Sequence, residues 1–187
     1  MALTHSQPMN LGTIAPDFNL LDTVSGEIRS LASLKGKMAT VIMFICNHCP
    51  YVQHIEKEVV RVAKEYQTKE VGFIAISAND VESYPQDAPE LMKQRAIDVG
   101  YPIPYLYDAT QSVAKAYDAQ CTPEFFVFDQ ALACVYHGRF DDATPRKSAP
   151  VTGKDLCIAL DAVLAGKEVE GAQHPSIGCN IKWKSAH

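Results

Sequence analysis

The chain has 187 residues, enough for one domain with a full core, and its 47% hydrophobic and 21% charged content is that of a globular protein rather than a disordered or fibrous one. A net charge of -5 offers neither nucleic acid nor an anionic membrane the basic surface that each selects. The polar stretch from Met1 to Asn10 carries no secretory signal and no later run has transmembrane length, so a cytoplasmic location is expected.

Residues 1–15 read as a loose lead-in. Alternation on either side of Thr23-Val24-Ser25-Gly26 predicts a hairpin built from residues 17–20 and 27–30, and residues 31–37 predict a short helical turn ending at Gly36. Residues 40–45 are short, apolar and β-branched, the pattern of a buried strand. Val52, Ile55, Val59, Val62 and Tyr66 then recur at spacings of three and four, which predicts a helix to about Thr68. Residues 71–77 form a second buried strand. Asp87 reads as an N-cap, with Pro89 and Glu90 in the first turn, for a helix to Gly100 that buries Leu91, Met92, Ala96 and Val99. Residues 105–107 give a short strand, and Asp108 with Gln111 repeats the cap pattern for a helix to about Asp118. Residues 124–129 and 133–139 read as an antiparallel pair, followed by a polar loop at residues 139–142. Thr152 and Asp155 open a helix that buries Leu156, Leu160, Val163 and Leu164 and ends at Gly166. The tail has no strong period but holds Ile177, Cys179, Ile181 and Trp183, so part of it is expected to pack.

Strands alternating with helices predict one α/β domain over residues 1–187, with a core of about 16–166 and a tail of 167–187. The expected architecture is a central mixed, mostly parallel sheet with helices on both faces, an N-terminal hairpin extension and a packed C-terminal tail. Six cysteines in a chain of this length without a signal read as buried thiols plus one redox or metal pair, not as a disulfide framework.

That pair is Cys46-Asn47-His48-Cys49, at the strand-to-helix junction. A helix N-terminus has unpaired N–H groups and a positive dipole end, which stabilise a thiolate. Cys46 is expected to be the more acidic and more exposed thiol, and Cys49, one turn in, to resolve a mixed disulfide on Cys46. A protonated His48 would make the pair more oxidising. Zinc wants four protein ligands and no second Cys-x-x-Cys or His pair exists, so no metal centre is expected, and the chemistry needs no organic cofactor.

The strand, Cys-x-x-Cys and helix unit, followed by Thr122-Pro123 opening an apolar strand, resembles the thioredoxin superfamily. This implies a thioredoxin-like fold and a cis Thr122-Pro123 bond facing the dithiol. Ala15-Pro16-Asp17-Phe18, Leu31 with Leu34-Lys35-Gly36-Lys37, the Cys-Asn-His-Cys-Pro motif, His137-Gly138-Arg139-Phe140-Asp141-Asp142 and residues 175–184 are similar to the alkyl hydroperoxide reductase/thiol-specific antioxidant, peroxiredoxin-like branch. The resemblance implies thiol–disulfide oxidoreduction, with Cys46 exchanging, Cys49 resolving, and Asn47, His48, Pro50, Thr122 and Pro123 tuning the site. It also implies a thioredoxin or low-molecular-weight thiol as electron donor and a disulfide-bonded protein as substrate. The runner-up is a thiol peroxidase acting on a hydroperoxide, with Cys49 forming the sulfenate, Cys46 resolving it and Arg139 orienting the peroxide. Against it, the branch's proline and hydroxyl positions hold Ile42 and Cys46. A third reading is a copper or zinc carrier with His137 as a distant ligand.

Two further thiols stay open. Cys121 is a third redox thiol or a small apolar filler, and Cys179 is a resolving cysteine carried by the tail or a thiol packed beside Trp183. Cys134 and Cys157 read as core thiols, Glu124 as an edge-strand polar residue, and His54 as solvated or capping. Arg139, Asp141 and Asp142 either line the site or form a solvated loop.

Overall fold

The computed structural model describes residues 3–185; the outermost two residues at each end of the expected domain lie outside the described residues. In chain order the elements are β1 (Leu3–His5), β2 (Asn19–Asp22), β3 (Ile28–Ser30), α1 (Leu31–Leu34), β4 (Ala39–Phe44), α2 (Pro50–Gln67), β5 (Val71–Ser77), α3 (Pro89–Val99), β6 (Tyr105–Tyr107), α4 (Ser112–Ala116), β7 (Cys121–Thr122), β8 (Glu124–Asp129), β9 (Cys134–Gly138), α5 (Lys154–Leu164) and β10 (Ile177–Asn180), with a 3-10 turn at Pro85–Asp87. Seven strands form the central sheet in the order β3-β2-β6-β5-β4-β8-β9. The sheet is mixed. Its parallel part is β6-β5-β4, and every other neighbouring pair is antiparallel.

All six residues of β4 are buried, because both faces of the sheet are covered. Val41 and Met43 point to the face packed by α2, α3 and α5; Ile42 and Phe44 point to the face packed by α1 and α4. Each such side chain contributes about 1.5–3 kcal/mol on burial. The α2 stripe expected from the sequence, Val52, Ile55, Val59, Val62 and Tyr66, is the buried one. Pro50 stands at the helix start, where a missing N–H costs nothing. Gly100 ends α3 in the left-handed conformation (φ 76°), and its N–H reaches the carbonyls of Ala96 and Ile97.

Several local expectations are overturned. Ala88, not Asp87, is the N-cap of α3, and Leu91 is exposed while Met92 and Ala96 are buried. α5 starts from Gly153 in the left-handed region; the Thr152 hydroxyl accepts the Lys154 N–H at 3.3 Å, but Gly153, not Thr152, is the N-cap. The buried carboxylate of Asp141 accepts the N–H groups of Thr152 and Gly153 instead, both at 2.7 Å, so this loop is not a solvated one. Glu124 lies on an interior strand, paired on both sides, and is fully buried.

The lead-in and the tail are not loose. β1, β10 and β7 form a second sheet of three short strands, with Cys179 opposite both Leu3 and Thr122. Ser6 and Ser176 extend the β1–β10 pairing by exchanging hydrogen bonds. Trp183 is half exposed beneath the Lys115 ammonium, so it does not pack over Cys179. Gly178 is required by this sheet: a Cβ there would overlap the Thr122 carbonyl and press on Pro123.

Gly178→Ala is therefore expected to destabilise by about 1–3 kcal/mol and to lower Tm by roughly 2–10 °C. Calorimetry beside Ile97→Ala, an exposed position on α3 expected to stay within about 2 °C, checks it; equal Tm values for the two variants would refute it.

Candidate active site

Strand β4 keeps its ladder to the end, with Ile45 N–H on Ile76 O at 3.0 Å, and the chain then leaves the sheet for four residues before α2. Cys49 is the N-cap of α2, and its carbonyl accepts the Gln53 N–H at 3.0 Å. Cys46 lies three residues earlier, in the connecting loop. Opposite them the Thr122-Pro123 bond is cis, as the sequence led us to expect. The Cys46 sulfur lies 3.5 Å from the Thr122 hydroxyl, and the Cys49 thiol donates to the Thr122 carbonyl at 3.1 Å. On the other side of Cys49 stands Cys179, with 2.9 Å between sulfurs, against about 2.05 Å for a disulfide. Pairing of β10 with β7 puts it there.

The electrostatics reverse the expected order of acidity. The Cys179 thiol, then the Cys46 thiol, hold Cys49 well below the ordinary thiol range, with the Thr122 side chain and the Val52 N–H acting in the same direction against burial. Cys46 is pushed well up, first by Cys49, then by burial and by the Asp87 carboxylate. Cys179 is raised by Cys49 and by burial. Three neighbouring sulfurs share one readily formed negative charge, and the one at the helix N-terminus carries it. Cys46 sits upstream of that N-terminus and faces a carboxylate. All three sulfur-bearing residues are buried, with Cys46 exposed to 2%, Cys49 to 0% and Cys179 to 5%, so Cys46 is not the exposed thiol the sequence led us to expect.

Asp87 is the site residue that the cap reading concealed. Fully buried, its carboxylate accepts the N–H groups of Asn47 (2.8 Å) and His48 (3.4 Å), the Nδ1 of His48 (2.6 Å) and the Nδ2 of Asn79 (2.8 Å). The available signal was Pro89: a proline at the first helical position makes Ala88 the cap and leaves Asp87 unassigned. His48 is thus not a lone charge beside the thiols. It is held by Asp87, stacked on Tyr84 at 5.5 Å, and its Nδ1 stands 4.0 Å from the Cys46 sulfur. Asn47 clamps the loop by bonding Gln86 O, Gln53 Nε2 and the Tyr105 hydroxyl. Among the described residues, Cys46, His48 and Asp87 form a donor group compact enough to hold a metal ion, their ligand atoms lying within 4.8 Å of one another.

The remaining candidates serve other ends. Cys121 is buried behind the loop, where burial and Glu124 raise its thiol, and its sulfur contacts the Pro123 carbonyl. Glu124 accepts the N–H groups of Gln120 and Cys121 and pairs with His137 Nε2 at 2.7 Å, which fixes the proline loop from below. The Nδ1 of His137 accepts the Met9 N–H at 2.8 Å and its ring stacks on Phe126, so both nitrogens are engaged and the distant-ligand role falls away. Arg139 is spent on Asp155 at 2.5 Å, which removes it as a peroxide-orienting group in this arrangement. His54 is partly buried on α2 and its Nε2 has no partner, so it is not a solvated residue.

Residues 11–136 match the AhpC/TSA family. The chain is similar to an uncharacterized conserved protein from Geobacillus kaustophilus, with 52% identity over 100% of this chain and 99% of that one and a TM-score of 0.98. A hypothetical protein from Sinorhizobium meliloti 1021 is 45% identical over 98% of this chain and 100% of its own, with a TM-score of 0.95. Peroxidoxin BcpB from Mycobacterium tuberculosis shares the fold at 20% identity, covering 85% of this chain and 98% of its own, with a TM-score of 0.63. No curated protein matches the chain.

Asp87→Asn keeps an acceptor for the Asn47 N–H and removes the negative charge that raises Cys46. The Cys46 pKa then falls and its thiolate fraction at pH 7 grows. Alkylation of Cys46 by iodoacetamide, followed peptide by peptide, is expected to accelerate roughly 3–10-fold; an unchanged or slower rate would contradict the assigned sign.

Proposed function

The chain belongs to the AhpC/TSA family, and within it we propose a thiol–disulfide oxidoreductase working through Cys46 and Cys49. The observation that carries this reading is the convergence of both sulfurs on one residue, Thr122, of a cis-proline segment. An extended chain bearing a cysteine can lie along such a segment, beside both sulfurs.

The division of labour follows from acidity. In the oxidised enzyme an external thiolate attacks the Cys46 sulfur; the Cys46–Cys49 bond breaks and Cys49 leaves as a thiolate. A leaving thiol of low pKa departs faster. In the reducing direction Cys46 gives up its proton to the neighbouring Cys49 thiolate and attacks a substrate disulfide. One substrate thiolate leaves and is protonated. Cys49 then attacks the mixed disulfide on Cys46, and the second substrate thiolate leaves. A thioredoxin or low-molecular-weight thiol returns the two electrons. Every mixed disulfide in this scheme sits on Cys46.

Peroxide reduction at Cys49 is the second reading, and the low pKa of Cys49 favours it. The cysteine in place of a hydroxyl residue at position 46 and the engagement of Arg139 by Asp155 favour exchange.

Cys49→Ser incubated with a model disulfide is expected to accumulate a mixed disulfide on Cys46, and Cys46→Ser to lose at least about 100-fold in disulfide reduction. A mixed disulfide found on Cys49 would overturn the assignment. A stoichiometric sulfenic acid on Cys49 after a peroxide pulse would decide for the peroxidase.

A further inference from the structure

Cys179 is the one thiol outside the Cys-x-x-Cys pair whose sulfur touches it. It is not there by accident of a flexible tail. Its strand, β10, is the middle strand of the second sheet, hydrogen-bonded to β1 on one side and to the proline segment on the other. Further along the tail, the Lys182 N–H bonds Asn79 Oδ1 at 2.8 Å, and Asn79 in turn bonds Asp87. The tail is thus fastened to both sides of the dithiol.

The surroundings of the sulfurs are unequal. An open groove of about 360 Å³ is lined by Leu3, Pro50, Tyr51, Pro145, Arg146 and Cys179, and neither Cys46 nor Cys49 lines it. Cys46 is instead bordered by Asn47, His48 and Thr122. Cys49 is in contact with Cys179 at 2.9 Å and is the first cause of the raised pKa of Cys46.

We propose that Cys179 is a third redox thiol, which takes over the disulfide from Cys46 and presents it to the reductant through the groove beside Leu3, Tyr51 and Arg146. The inference deepens the disulfide-exchange reading and rests on it. The step is an internal exchange. After one substrate disulfide has been reduced, the enzyme holds a Cys46–Cys49 disulfide. Cys179 loses its proton and attacks the Cys49 sulfur; the Cys46–Cys49 bond breaks, the Cys49–Cys179 bond forms, and Cys46 leaves as a thiolate and takes up that proton. No net oxidation or reduction occurs. A donor thiol entering the groove then attacks Cys179, Cys49 leaves as its stabilised thiolate, and a second donor thiol releases the donor as its own disulfide. Substrate and reductant in this way use different sulfurs and different faces, and Cys46 is reset before the reductant arrives.

Peptide mapping without reduction tests it on the whole protein. In wild type quenched with acid at increasing times after one equivalent of a model disulfide, the Cys46–Cys49 peptide pair is expected to appear first and to be replaced by Cys49–Cys179. In Cys46→Ser, one equivalent of diamide is expected to produce the intrachain Cys49–Cys179 disulfide in most molecules. Cys179→Ala is expected to retain Cys46–Cys49 and to slow re-reduction by glutathione at least tenfold. Failure of Cys46→Ser to form Cys49–Cys179, or re-reduction of Cys179→Ala at the wild-type rate in protein whose near-ultraviolet circular dichroism matches wild type, would overturn the proposal. Absence of any Cys46–Cys49 disulfide in wild type would instead strike the exchange reading, while the Cys46→Ser result reads the Cys49–Cys179 contact by itself.

Discussion

One buried carboxylate fixes the geometry on which the site depends. Asp87 is fully enclosed and faces the loop between β4 and α2, where it meets the N–H groups of Asn47 and His48, the His48 ring and Asn79. A buried acceptor left without donors costs several kcal/mol, so a carboxylate with four of them holds its donors in place as firmly as they hold it. The loop that carries Cys46 is therefore set by a residue from a different connection of the chain. Through Asn79 the same carboxylate reaches the backbone of Lys182, and the tail, the loop and the 3-10 turn at Pro85–Asp87 are bound into one unit.

The second element of design is the placement of charge. A Cys-x-x-Cys pair at a helix start is usually read by assigning the helix dipole to the first cysteine. Here α2 begins at Pro50, so the dipole acts on Cys49, and the Asp87 carboxylate works against Cys46. The two effects separate the sulfurs into one that accepts charge and one that keeps its proton. Cys179 strengthens the separation, since its thiol is the first cause of the low pKa of Cys49. The opposite sides of the central sulfur are filled by Cys46 and Cys179, with Thr122 closing the third.

What the sequence made legible was what is encoded locally. The β4–α2 junction, the α2 stripe, the hairpin of β2 and β3 and the cis bond before Pro123 all follow from runs of adjacent residues or from a family pattern. Asp87 was misread because a carboxylate two residues before a proline looks like a cap, whereas its partners at Asn47 and His48 lie about forty residues away. The tail was opaque for another reason. β10 has four residues, β1 three and β7 two, too few for a period to show. Trp183 drew attention as the residue most able to pack, yet it is Gly178, by letting two backbones approach, that decides where Cys179 goes.

The same sheet has a consequence for the order in which the protein is made. Cys46 and Cys49 belong to the first third of the chain, while Cys179 and the strand that covers them come 130 residues later. During synthesis the dithiol waits 73 residues for the proline segment and 130 for Cys179. The carboxylate at Asp87 can organise the loop early, but the low pKa of Cys49, and the groove that Cys179 lines, arise only when β10 pairs with β1 and β7. Until β10 is in place, the thiol that most lowers the Cys49 pKa is missing from the site.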